Sequence, residues 1–401
     1  MSGSVGNSTQ SLHADDVLNV VSDVAPPMHL STTFRYSKDP AALVPFADLS
    51  DTQIDPNTHV YSRVSAPNQT RFETILSSLL KGSALSYSSG LSSLHAALTL
   101  LNPRRISVGE GYHGCHGVIA LFTRLTGLKK LPLECEANDL EAGDVILLET
   151  PVNPQGTAFD IASFAEKAHS RGAYLIVDST FAPPGLQDPF LWGADIVMHS
   201  GTKYFGGHSD ALCGVLATRN KEWYSQLFED RIFLGSLMGN MESWLCVRSL
   251  RTLEVRIQRQ SENATRIVKW LHSALNKRNL QSGSESNSAS EEAVIQAAVA
   301  DVYHASVQVT EGDWLSKQMP NGFGPVFSIS MKNEEFAKAL PSKLHFFQHA
   351  TSLGGVETLI EWRTMSDPSV DRKLLRISVG LENWEDLKGD LLGAFRQFAG
   401  V

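Results

Sequence analysis

Between residues 59 and 255 the chain alternates short apolar runs with helical patterns. The runs Asp144-to-Leu148, Tyr174-to-Val177 and Asp195-to-Met198 each end against polar residues. Strands alternating with helices imply βαβ units and a mainly parallel sheet, an α/β fold. Such a sheet also limits where a ligand can sit, because open α/β sheets bind beyond the carboxyl ends of their strands. The residues just after each apolar run are therefore the first candidates for a site. With 401 residues, 42% of them hydrophobic, the chain can bury a large core and divide into domains. The expected organisation is an N-terminal arm over 1–58, a large domain over 59–255 and a smaller C-terminal α/β domain over 256–401. Gln281 to Glu292 is Ser-rich and acidic and reads as a surface loop. No internal repeat is present.

Charge and composition narrow the function. Asp and Glu outnumber Lys and Arg by 43 to 34, a formal net charge of −9, and the basic residues are scattered. A nucleic-acid partner is not expected, and a small molecule is. The four cysteines, Cys115, Cys135, Cys213 and Cys246, have neither zinc-site spacing nor the density of a disulfide scaffold. No metal site is expected, and reduced thiols point to a cytoplasmic protein. Residues 1–16 lack the basic and apolar regions of a signal peptide. Apolar runs such as Val145 to Leu148 fall far short of the roughly 18 to 20 residues that span a bilayer, so no membrane segment is expected.

Helical periodicity runs from Ser243 to Leu275. Near the end, Leu374 to Val379 reads as a strand and is followed by a helix whose apolar face includes Leu387, Leu391 and Phe395. Arg376 interrupts that strand. An arginine in an apolar strand costs free energy unless paired, so it either faces solvent at an edge or meets an anion.

The residues after the runs carry candidate chemistry. His199-Ser200-Gly201-Thr202-Lys203 leaves the strand ending at Met198. A partly desolvated lysine there has a lowered pKa and becomes an amine nucleophile toward an aldehyde. Ser200 and Thr202 flank it with hydroxyls suited to a phosphate; the plainer reading is a polar surface loop with a solvated lysine. Asp178 ends another strand, as a partner for a cationic ring nitrogen or as an ordinary turn residue. Ser89-Gly90-Leu91 opens a helical pattern through Leu101, which is either an ordinary cap or a set of free backbone N–H groups for a phosphate.

Together these segments resemble a known family. Glu149-Thr150-Pro151-Val152-Asn153-Pro154, Val177-Asp178-Ser179-Thr180, His199-Ser200-Gly201-Thr202-Lys203-Tyr204 and Ser352-Leu353-Gly354-Gly355 are similar to the motifs of the Cys/Met-metabolism, or trans-sulfuration, enzymes that use pyridoxal 5′-phosphate (PLP). The likeness covers about residues 25 to 398. It implies a type I PLP fold, with a mainly parallel seven-stranded sheet in the large domain. It also implies roles: Lys203 as Schiff-base lysine and general base, Asp178 as partner of the pyridinium, and Tyr112 stacked on the ring and assisting proton transfer. By the same likeness Gly90, Leu91, Ser200 and Thr202 bind phosphate, and Tyr61 and Arg63 are donated to a neighbouring subunit of a homotetramer. Asn153, Ser352 and Arg376 hold the substrate carboxylate.

The chain departs from the family at its distal pocket. Thr351 stands where Glu is frequent before Ser-Leu-Gly, and Glu361 to Asp367 replaces the familiar His-Pro and Thr-His. Arg363 in that segment is either a receiver for an anion or an exposed surface arginine. The segment Tyr36 to Thr58 also looks longer than usual. These departures resemble a fungal-looking γ-substitution branch of specialised amino-acid metabolism. The implied reaction is γ-replacement on an activated homoserine ester, O-acetyl-L-homoserine, by a thiol or a carbon nucleophile such as a β-keto acid or ester enolate, through quinonoid and β,γ-unsaturated ketimine intermediates. Cystathionine or methionine γ-lyase activity is the alternative, and a non-catalytic PLP-binding scaffold a more distant one.

Overall fold

The computed structural model describes residues 5–45, 48, 57–277 and 290–399. Of the loop expected at 281–292, all but 290–292 lies outside the described residues. Seven strands form: β1 (Ser83–Tyr87), β2 (Arg105–Val108), β3 (Lys129–Pro132), β4 (Val145–Glu149), β5 (Tyr174–Asp178), β6 (Ile196–His199) and β7 (Gly214–Thr218), of which β4, β5 and β6 are the three apolar runs read from the sequence. They form one sheet in the order β1-β7-β6-β5-β4-β2-β3. Pairing is parallel among β3, β2, β4 and β5, and antiparallel between β1 and β7. Val145, Ile146, Leu147 and Leu148 are all buried, as expected of strands covered on both faces, which is why these runs are continuous rather than alternating. The β4–β5 register sets Glu149 opposite Asp178, so two carboxylates meet at the carboxyl ends of adjacent strands.

A second sheet lies between residues 299 and 378. It comprises β8 (Val299–Tyr303), β9 (Val326–Met331), β10 (Gln348–His349), β11 (Leu359–Trp362) and β12 (Leu374–Ser378), in the order β10-β11-β12-β9-β8. All its pairings are antiparallel except β10 with β11. The helix Trp384–Ala399 buries Leu387, Leu391 and Phe395 in a core with Phe327, Ile329 and Ile377, and each such side chain contributes about 1.5–3 kcal/mol on full burial. The helical stretch expected over 243–275 is two helices, Asn240–Leu250 and Leu253–Asn276. Leu250 and Leu253 are buried while Val255 is exposed, so the apolar stripe changes phase at the break.

The chain forms two compact units: Met1–Asn102 with Met198–Gly206 and Asp210–Leu253, and Pro103–Val197 with Gly207–Ser209 and Glu254–Val401. In the first, the N-terminal stretch is tied down by charge. Buried Asp15 accepts from Arg71 at 2.9 Å and from both terminal nitrogens of Arg251 at 2.8 Å. The second holds β2 to β5 and the whole of the second sheet. Among the described residues no helix is long and apolar enough to cross a membrane.

Candidate active site

In the second unit the carboxylates of buried Asp178 and half-buried Glu149 stand among the sequence-predicted residues. Asp178, at the end of β5, is only 6% exposed. Its Oδ1 accepts from the Thr180 backbone N–H at 3.0 Å and from the Thr180 hydroxyl at 2.5 Å. Its Oδ2 takes no hydrogen bond among the described residues. Burial raises the Asp178 carboxyl, and the two bonds from Thr180 oppose that rise. A buried strand-end carboxylate of this kind fits a cationic ring nitrogen.

Glu149 was quoted in the motif without a role, yet its carboxylate connects two candidates. Oε2 accepts the Tyr112 N–H at 2.8 Å and Oε1 the Asn153 N–H at 2.7 Å. Burial and the neighbouring Asp178 charge push Glu149 up to about 8, against those two backbone bonds and Arg376. The bond to Tyr112 requires glycine at 111: its φ is +145°, and a Cβ there would stand 2.5 Å from Glu149 Oε2. Tyr112 itself starts the helix His113–Thr126 and is 39% exposed. Its phenol is raised by burial, with Cys115 adding and Arg376 and Arg363 opposing. Tyr112, Cys115, Glu149 and Asp178 line one cavity.

The odd arginine of β12 is neither at an edge nor solvated. Arg376 is 4% exposed, donating from Nη1 to Asn153 Oδ1 at 3.0 Å and from Nη2 to the Ser352 carbonyl at 2.9 Å and Glu361 Oε2 at 2.6 Å. Asn153, Ser352 and Arg376, which the family resemblance places together, thus form one hydrogen-bonded group. Ser352 has φ +77°, a left-handed conformation costly for a non-glycine residue and frequent at functional sites. Thr351 beside it is exposed. Glu361 was not singled out by the sequence. Its signal was the register that only the fold provides, opposite Arg376 in the β11–β12 pair.

The reading of Arg363 as an exposed surface arginine is corrected. It is 2% exposed and donates from Nη1 to Glu361 Oε2 at 2.8 Å and to the Ser366 hydroxyl at 3.0 Å. A buried guanidinium must be paired to offset its desolvation, and Glu361 supplies the partner.

In the first unit the lysine loop closes on itself. Lys203 is half-buried; its N–H donates to the Ser200 carbonyl at 3.1 Å, and the Gly206 N–H donates to the Gly201 carbonyl at 2.7 Å. The Thr202 hydroxyl accepts from the Cys213 N–H at 3.0 Å and donates to the Cys213 carbonyl at 3.2 Å, so it anchors the loop to β7. Gly90 opens the helix Gly90–Leu101, with Leu91 next and Ser89 as its cap. A Cβ at Gly90 would stand 3.0 Å from Ser200 Cβ. The Ser92 N–H is capped by the Ser89 hydroxyl, and the backbone N–H groups that start this helix, closely approached by Ser200, are of a kind that fits a phosphate. Tyr61 and Arg63 hydrogen-bond to neither Gly90 nor Ser200. Both are exposed, Arg63 lies 5.5 Å over the Tyr61 ring, and it donates to the Ile232 carbonyl at 3.2 Å.

The chain is similar to known proteins along most of its length. A Cys/Met metabolism PLP-dependent enzyme model matches residues 8–396. Cystathionine beta-lyase of Lactococcus lactis subsp. cremoris is 32% identical over 85% of this chain and 90% of its own. Cystathionine gamma-synthase of Escherichia coli is 30% identical over 93% of each. The crystal structure of metB from Corynebacterium glutamicum superposes with a TM-score of 0.83 at 28% identity, over 98% of each chain. The lysine loop, the helix that starts at Gly90 and the buried strand-end aspartate thus lie within a match that runs nearly end to end, and the chain belongs to the PLP-dependent enzymes of Cys/Met metabolism.

Proposed function

We propose that the protein catalyses γ-replacement on an activated homoserine ester, O-acetyl-L-homoserine, with a thiol or a carbon nucleophile such as the enolate of a small β-keto acid or ester. The observation that carries this reading is the uncharged Thr351 beside Ser352, whose carbonyl binds Arg376. A carboxylate at 351 would complement the amino group of a cysteine-type partner, and threonine removes that complementarity.

PLP, when bound, supplies an electron sink for charge developing at the substrate Cα. The chain's residues do the rest. The Gly90–Leu91 start of the helix and Ser200 of the lysine loop would hold the phosphate, with Thr202 fixing the loop. Asp178 would pair with the ring nitrogen and hold its proton, and Tyr112 would pack against the ring. Lys203 holds the cofactor in the resting enzyme, then takes the α-proton and relays protons toward the β-carbon, with Tyr112 assisting. Arg376 and Asn153 orient the substrate carboxylate, so that the γ-leaving group can depart and be replaced. Tyr61 and Arg63, both exposed, complete the phosphate site of a neighbouring subunit in a homotetramer. The four buried free cysteines support a reducing, cytoplasmic setting.

Competition among cysteine, sulfide, methanethiol and acetoacetate tests the nucleophile. Efficient cystathionine formation with no carbon–carbon product would exclude the carbon nucleophile. Thr351→Glu should shift preference toward cysteine; if it does not, position 351 is not the selector.

A further inference from the structure

The carboxylate-binding arginine carries a built-in counter-ion. Glu361 Oε2, buried and opposite Arg376 in the sheet, lies 2.6 Å from its Nη2. A carboxylate so close offsets the charge that an incoming substrate carboxylate would meet, and water screens little at side-chain exposures of 5% and 4%. The same Oε2 also accepts from Arg363 Nη1 at 2.8 Å, and Oε1 accepts from the Ser366 hydroxyl at 2.6 Å. Burial pushes the Glu361 carboxyl up, but Arg376, the Ser366 bond and Arg363 outweigh it and hold the group below its ordinary value, so it remains an anion. Asp367 Oδ2 stands farther off, 3.9 Å from Arg363 Nη2, and its Oδ1 accepts from the Ser369 N–H and hydroxyl.

We infer that Arg363 is a positioning and charge-setting residue: by sharing Glu361 with Arg376, it leaves the Arg376 guanidinium able to bind a substrate carboxylate. The inference rests on the reading that Arg376 holds that carboxylate. Arg376, Glu361 and Arg363 together sum to one positive charge; removing Arg363 makes the group neutral. Counting Asp367 shifts both totals by one and leaves the difference unchanged. Arg363 therefore acts on substrate affinity through Glu361, without touching substrate.

The test measures KM and kcat for O-acetyl-L-homoserine in the PLP-loaded enzyme. Arg363→Gln should raise KM about tenfold or more while kcat stays within about threefold, since uniform binding is lost rather than transition-state stabilisation. Adding Glu361→Gln to that variant should return KM to within about threefold of wild type, because the uncompensated carboxylate is gone. A merely structural ion pair gives the opposite: the double variant is as impaired as the single or worse, and that result overturns the inference. An unchanged KM in Arg363→Gln also overturns it. If Arg363→Gln does not fold, Arg363→Lys decides, since it keeps the charge and should hold KM within about threefold; a rise of about tenfold there refutes the charge-sharing role. Arg376→Lys separates the two layers: if it leaves KM unchanged, the carboxylate reading itself fails, whatever Arg363 does.

Discussion

Asn153 Oδ1 accepts a hydrogen bond from Arg376 Nη1 at 3.0 Å, joining residues 223 positions apart in the chain. Asn153 follows a strand of the seven-stranded sheet, and Arg376 sits within the second sheet. Glu149 also fixes Asn153, its Oε1 accepting the Asn153 backbone N–H at 2.7 Å. Arg376→Lys should raise KM for the amino acid by about tenfold or more with PLP retention unchanged, because a point charge cannot replace a planar fork held by three acceptors. Steady-state kinetics beside the visible absorbance of bound PLP will check this; an unchanged KM returns Arg376 to a structural role.

Lys203→Ala should abolish turnover and the covalent link to the cofactor. Borohydride reduction followed by peptide mapping gives the answer, and a trapped adduct on the variant would place the link on another lysine.

Glu149 gives a pH dependence of stability. Its carboxyl is raised from 4.5 to about 8 in the folded chain, so the protonated folded form is favoured. The sign follows: the contribution is fully present below the unfolded value and is lost as pH rises through the folded one. In the apoprotein, unfolding free energy should therefore decline between about pH 4.5 and pH 8, and Glu149→Gln should flatten that decline. One pKa unit is worth about 1.4 kcal/mol, within reach of denaturant titration. Parallel profiles for wild type and variant would assign the titration elsewhere.

Tyr61→Phe or Arg63→Ala should weaken PLP retention, since each removes a phosphate donor. Mixed with Lys203→Ala under subunit exchange, either variant should recover part of the activity. Proven mixed oligomers without recovery would show that both residues serve their own chain.

The strands β4, β5 and β6 of the large sheet were legible in the sequence because their apolar runs are buried, whereas β3, Lys129-Lys130-Leu131-Pro132 and mostly exposed, carries no such run. The motif residues were legible because they follow those runs. Glu361 and Arg363 were not. A charged pair inside a strand and the turn after it looks like a surface until the β11–β12 register sets Glu361 against Arg376. Glu149 escaped for a related reason: its partners are the backbone N–H groups of Tyr112 and Asn153, which no side-chain pattern reports. The break at Arg251 and Thr252 between two helices was hidden by apolar residues that continue across it while their phase changes.

The most direct test of γ-replacement is the fate of the substrate nitrogen. Purified enzyme is given O-acetyl-L-homoserine with each thiol or carbon nucleophile, and mass spectrometry of the products is combined with an ammonia assay. γ-Replacement should give an amino-acid product that keeps its nitrogen and carries the nucleophile at Cγ, with little ammonia at saturating nucleophile. Stoichiometric ammonia and a 2-oxo acid, whatever nucleophile is supplied, would contradict it and make the enzyme a γ-lyase.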